Sequence, residues 1–245
     1  MKKILALSLL LISFSCTDAE LMRTVSTVSD ALGSNESTSL SNDDVIAGLK
    51  KALDVGIENA TNSTSKTDGF FKNAEIFIPF PEEAIKVKTK LEQLGMDGQI
   101  NKFVTTLNRS AEEATKAAVP IFLDAIKGMS ITDGFNILKG SDNAATNFLK
   151  QNTYASLKSA FAPRVQAAIE KVKLTNTWEP LATAYNTATL LTGGNQVNPN
   201  LEEYVTERAI DGLFVMMAKE EKQIRVNPAA RVTDLLKKVF GSLDG

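Results

Sequence analysis

Histidine is absent from all 245 residues, and cysteine occurs once. Imidazole is the commonest general base and metal ligand near neutral pH, so its absence excludes Ser-His-Asp and Cys-His nucleophile pairs and every HExxH-type zinc site. A single thiol excludes an internal disulfide, a thiolate cluster and a CxxC redox pair. Catalysis, if there is any, must rest on carboxylates, lysine, tyrosine and hydroxyls. Excess charge of either sign is also missing. Against 27 Lys and Arg stand 29 Asp and Glu, a net charge of −2, where a nucleic-acid binder would show a strongly basic domain. The sequence is 43% hydrophobic, which is enough for a real core.

The first residues read as an address. Lys2 and Lys3 form a basic start, and Ile4 to Ile12 is an apolar run too short to span a bilayer as a helix. Residues 1–15 are therefore expected to be a secretory signal. Ser13-Phe14-Ser15-Cys16 follows and resembles the lipobox of bacterial lipoproteins, in which a small residue precedes a cysteine that is lipidated on its sulfur. Ser13 and Phe14 depart from the usual residues of that box, and the alternative is an ordinary signal cut nearby with Cys16 left free. Lipidation is favoured because the lone cysteine falls where that chemistry needs it. Loss of residues 1–15 removes two lysines and no acid, leaving 25 basic against 29 acidic residues, a charge of −4. Anionic headgroups offer such a chain nothing, so the lipid would have to do the anchoring. The expected location is the cell envelope, on the periplasmic face or the cell surface, with the choice of membrane open. Residues 16–40 are rich in Ser and Thr and read as a lipidated cysteine followed by a flexible tether.

From residue 41 to residue 245 the pattern is helical. Ser41-Asn42-Asp43-Asp44 supplies N-cap oxygens before Val45, Ile46, Leu49, Leu53 and Ile57, which share one helical face. Residues 76–80, with Pro79 and Pro81 at their end, form the one extended candidate. A helix from Pro81 is expected to stop at Gly95, and a longer one opens at Asp97 and splits or kinks at Pro120. Ser130 to Lys139 reads as a short helix. Asp142 is expected to cap another, leading through Thr153 to Leu174 with an interruption or bend near Pro163. A helix over 177–191 follows, then one from Asn200 to about Val226 with a capping-box-like start, and a last one over 231–240. Ile210, Leu213, Phe214, Val215, Met216 and Met217 ring the helix after Asn200, so its middle is expected to be the most buried segment. No alternation of period two persists. The fold class is therefore all-α, a single irregular bundle.

Polar residues crowd four segments. Asn108, Arg109, Glu112 and Glu113 form the first, with Arg109 in helical reach of both acids; Asp133 marks the second, Asp142 and Asn143 the third. Arg208, Asp211, Glu221, Arg225 and Arg231 form the fourth. If the segments converge, they build a carboxylate and arginine cleft able to bind a ligand or run two-carboxylate chemistry. If they do not, Asp133 and Asp142 are N-caps, Glu221–Arg225 is an i,i+4 ion pair, and Arg208 and Asp211 satisfy each other. The second reading is favoured, since no calcium loop, phosphate loop or nucleophile elbow is present. No catalytic residue, metal ligand or cofactor is assigned. Trp178 is expected to be a packing anchor.

Several stretches, namely Leu40-Ser41 with Asp44 and Gly48-Leu49-Lys50, IPFPEE, NRSAEEATKAAVPIFLDAI, MSITDGFNILKGSDNAATNF and YVTERAIDGLFVMMAKEEKQIRVNPAARVTDLLKKVFG, resemble a bacterial family of exported, mostly helical proteins known as a domain of unknown function. The resemblance spans residues 40 to 241, and departs from the family at Ser110 and Gly134, where Ala is usual. It implies an exported helical domain and carries over no activity. Three functions remain in competition: a lipid-anchored module that binds a small amphipathic ligand or an envelope protein, a carboxylate-dependent hydrolase or lyase with or without a metal, and a structural envelope protein without a pocket.

Overall fold

The computed structural model describes residues 41–82, 85–93, 95–171, 178, 182–183, 185–187, 190, 196, 200–231 and 233–241. All belong to one unit of the chain, residues 40–245. The proposed signal, Cys16 and the tether lie outside the described residues. Eight α-helices have described bounds: α1 (Asn42–Ser65), α2 (Ile85–Gln93), α3 (Asp97–Thr115), α4 (Ala118–Lys127), α5 (Ile131–Leu138), α6 (Ala144–Lys171), α7 (Leu201–Val226) and α8 (Asp234–Gly241). Among the described residues there is no strand, so the fold is all-α. Trp178, Ala182, Thr183, Tyr185–Thr187 and Leu190 are helical, where the sequence places a helix over 177–191. No helix in the described residues is long and apolar enough to cross a membrane.

Each start and stop has a local cause. Ser41 and Asp44 close a reciprocal capping box at the head of α1, and Ser130 and Asp133 close another at the head of α5. Asp133 is thus the third residue of its helix, and Ser130 is the N-cap. Pro120 sits in the first turn of α4, where a missing N–H costs no helical bond, and the chain splits just before it, between Thr115 and Ala118. Pro163 does not interrupt α6. It lies on the exposed side of that helix, so the carbonyl that loses its partner can turn to water.

Helix α7 is the centre of the bundle and packs on α6, α1 and α3. Val205, Ala209, Ile210 and Leu213 along it are fully buried. Val215 was expected inside, yet it is 46% exposed, because α7 is covered on three sides and open on the fourth. On α6, Ala145, Leu149, Thr153, Leu157, Phe161, Val165 and Ile169 are buried at an unbroken spacing of four. Such a row drifts about 40° per step around a helix of 3.6 residues per turn. The contact surface therefore winds around α6, and no straight apolar face appears in its sequence.

Between α1 and α2 the chain crosses α7 in a run that opens with a turn, the Ile76 and Phe77 N–H groups both returning to the Asn73 carbonyl, and is free of turn or helix only over residues 77–79, the later part of the expected extended segment. Ile76, Ile78 and Phe80 are buried while Phe77 is 37% exposed. Lys219 on α7 pairs with Glu75 at 2.9 Å, and the Tyr204 hydroxyl donates to the Pro79 carbonyl at 3.2 Å, so the run lies antiparallel to α7. Gly212 permits the crossing: a Cβ there would stand 2.6 Å from the Phe70 ring and 3.1 Å from the Ile76 side chain. Phe80, Phe103 and Trp178 close the end of the run as an aromatic group, with the Phe80 and Trp178 rings edge-on at 5.7 Å.

Candidate functional site

The extended run has no neighbouring strand, and α3 supplies what a strand would. The Asn108 amide accepts from the Ile78 N–H at 2.9 Å and donates to the Ile78 carbonyl at 2.8 Å, a backbone pairing made by a side chain. One turn later Glu112 accepts the N–H groups of Phe70 and Phe71 at 3.1 and 3.2 Å. Arg109 donates to Glu112 at 2.7 Å and to Asp68 at 2.5 Å, and its guanidinium lies over the Phe71 ring. Asp68 stands at φ 69, and Gly69 follows because a Cβ there would collide with the carbonyl oxygens of Ser63 and Thr64. Lys72 and Arg109 together hold the Asp68 carboxyl below its usual range. Asn108, Arg109 and Glu112 therefore fasten a loop. Glu113 points away and pairs on the surface with Lys116.

The second built group is Glu221 and Arg225 on α7. Glu221 accepts the Ala145 N–H at 2.9 Å and the Thr146 N–H and hydroxyl at 2.8 Å each, so it caps α6 from outside that helix. Arg225 grips Glu221 at 2.8 Å and donates to the Ile137 and Leu138 carbonyls at 2.8 and 3.2 Å, the C-terminal end of α5. A carboxylate thus meets one helix N-terminus and a cation meets another helix's C-terminus, each with the sign that complements the dipole. Arg231 is buried and donates to the carbonyls of Ile224 and Arg225 where α7 ends.

The remaining candidates stand apart. Asp142 does not cap α6, whose Ala145 and Thr146 N–H groups are taken by Glu221; it lies exposed, 3.9 Å from Lys222. Asn143 accepts a hydrogen bond from Ser141. Asp211 pairs with Lys150 at 2.9 Å, not with Arg208, which lies over the Tyr204 ring instead. The Asp133 carboxyl is held below its usual range by its bonds to Ser130. Glu221 and the Lys222–Asp142 contact tie the third segment to the fourth, while among the described residues no hydrogen bond or ion pair ties them to Arg109 and Glu112 or to the Asp133 carboxyl, and no three acidic side chains gather as a metal site would require. The four segments do not build one cleft.

Concavities in the fold lie partly elsewhere. An apolar cavity of about 30 Å³ under Phe240 touches Glu221 and Arg225 and has room for about one water. A basin of about 480 Å³ opens beside Asp68, Lys72 and Lys219. A third, about 590 Å³, is an open groove between α4, α5 and α6. Ile121, Ala125 and Phe148, half-buried against the core, line it together with the polar Asp124, Asp133 and Gln151. Of these, sequence reasoning singled out Asp133 alone. The apolar residues of α4, AVPIFLDAIK, serve its packing: Ala118, Phe122 and Ile126 are buried, and Val119, Ile121 and Ala125 lie half-buried against the core, so no excess in the sequence marks the groove.

Comparison with known proteins gives one match. No curated protein and no solved structure matches the chain. The family described as "Protein of unknown function (DUF4197)" matches residues 39–241, most of the chain, and the chain belongs to that family.

Proposed function

We propose that this protein is a lipid-anchored module of the bacterial cell envelope that acts by binding a protein partner, and that the groove between α4, α5 and α6 is its binding surface. The observation that carries this reading is the groove itself, an open concavity of about 590 Å³ where three helices meet, lined mainly by polar side chains with Ile121, Ala125 and Phe148 among them. The carboxylates that a hydrolase would need are employed otherwise. Glu112 and Glu221 bind backbone N–H groups, Asp133 closes a capping box, and Glu113 and Asp211 sit in exposed ion pairs. The anchor rests on the lipobox-like run ending at Cys16 and is a separate part of the reading.

A photo-reactive amino acid in place of Gln151, at the groove edge, should give a discrete crosslinked species in intact cells. Filling the floor with Ala125→Trp should abolish it, and the same group in place of Glu113 should give none. Crosslinking that ignores Ala125→Trp would remove the groove from consideration. For the anchor, a fatty-acid probe should label the chain and fail to label Cys16→Ala; equal labelling of both would refute lipidation.

A further inference from the structure

The clasp that α3 places on the extended run has a counterpart on α6. Asn108 anchors itself by donating one amide hydrogen to the Val104 carbonyl of its own helix, four residues back, at 2.8 Å. Its other hydrogen and its oxygen pair with the C=O and N–H of Ile78. Asn152 makes the same anchoring bond, to the Phe148 carbonyl four residues back, also at 2.8 Å. A primary amide carries two hydrogens and an accepting oxygen. In Asn152 the second hydrogen and the oxygen have no partner among the described residues, and the side chain lines the groove between α4, α5 and α6. One turn after Asn108 stands Glu112, which accepts two backbone N–H groups of the loop it fastens. One turn after Asn152 stands Ser156, exposed in the groove and able to accept in the same way.

The fold itself does not call for this amide. Asparagine is a poorer helix former than alanine, and Asn152 stands exposed inside α6 with its side chain bonded only to its own helix. The anchoring bond holds the amide in one orientation before anything meets it, so pairing costs little side-chain entropy.

Resting on the reading of the groove as the binding surface, we infer that Asn152 grips an extended segment of the protein partner by its backbone, pairing with the N–H and C=O of one residue as Asn108 does with Ile78. The occupant is extended because a helix keeps those groups for its own ladder. Main-chain hydrogen bonds supply the affinity, as they do when a strand is added to a sheet edge. Ile121, Ala125 and Phe148 are half-buried in the chain's own core and add only shallow contact, so the grip and not an apolar anchor selects the occupant.

The test uses the segment that such an amide already holds, a capped synthetic peptide of residues 74–80, titrated into the isotope-labelled chain and followed by NMR. The side-chain amide signal of Asn152 should move and saturate while that of Asn108 stays. The same peptide methylated on the Ile78 nitrogen should bind about tenfold more weakly, since one hydrogen bond is lost and its partner is left unpaired. Asn152→Ala should weaken the parent peptide to a similar degree, and it puts a better helix former at an exposed position, so the fold stands. Asn147→Ala, the same change on α6 outside the groove lining, should leave binding within about twofold. A methylated peptide that binds as tightly as the parent overturns the inference, and so do equal effects of the two alanines. Movement of the Asn108 signal instead would mean that the peptide has displaced the chain's own run, which also overturns it. If the peptide does not bind at all, the backbone grip is refuted; crosslinking from Gln151 that still depends on Ala125 then keeps the groove as the binding surface. Crosslinking indifferent to Ala125→Trp removes both readings together.

Discussion

At the scale of single residues, the polar side chains that look most like chemistry are those that replace missing backbone partners. Asn108 is fully buried and serves Ile78 as a neighbouring strand would, because a lone extended run in a helical protein has nowhere else to place its N–H and C=O groups. Asp68 does related work where α1 turns into that run. Its carboxyl accepts from Lys72 and Arg109, and those bonds depress its pKa below the ordinary 3.8. A depressed carboxyl adds stability that is fully present above the unfolded pKa and disappears as pH falls through the folded one. Asp68→Asn keeps a residue that tolerates positive φ and removes the charge. The variant should therefore melt below the parent at neutral pH, and the two should converge as pH drops below about 4. Thermal melts at pH 7 and pH 3 check this; a gap that persists undiminished at pH 3 would assign the effect to something other than the carboxylate.

At the scale of elements, capping was legible from sequence only where the cap lies in the helix it caps. Ser41 with Asp44, and Ser130 before Asp133, announce their helices by spacing alone. The head of α6 does not, since its cap is Glu221, 75 residues away in sequence from Thr146. Asp142 had the right chemistry at the right distance and still lost, because the packing of α7 brings a better-placed carboxylate. The Glu221–Arg225 pair, in contrast, is read directly from its i,i+4 spacing, though not what it holds. Arg225→Met leaves the Glu221 carboxylate, about 10% exposed, without its cation and the end of α5 without its donor. Breaking one side of such a pair costs about 3–5 kcal/mol. Disrupting the exposed Asp142–Lys222 contact with Asp142→Asn should change stability by less than about 0.5 kcal/mol. Urea unfolding of both variants would test the ranking, and equal costs would show that α5 and α6 do not depend on Arg225.

At the scale of the molecule, the all-α class was legible because most helices carry their own periodicity, while helix partners and the groove were not. The groove lies where α4, α5 and α6 meet beside Gly128, and how three helices meet is a property of packing, which no local spacing encodes. The winding contact row on α6 is hidden for a similar reason. What joins these elements is one apolar cluster running from Val45 in α1 through Phe122, Leu157 and Leu213 to Phe240 in α8. Trp178, the single tryptophan of the chain, is 3% exposed and sits at one border of that cluster against Phe80 and Phe103. Its fluorescence therefore reports on the extended run and the start of α3, whereas far-UV circular dichroism reports on all helices at once. A core with no internal boundary melts as one cooperative unit, so the two signals should follow a single urea transition with the same midpoint and slope. The opposite case has a clear signature. If α1, α3 and the extended run formed a body of their own, tryptophan emission would shift red while most of the helical signal remained. The buried contacts of α7 with α1, α3 and α6 argue against that separation, because no one of the three can leave α7 without exposing the faces of the others.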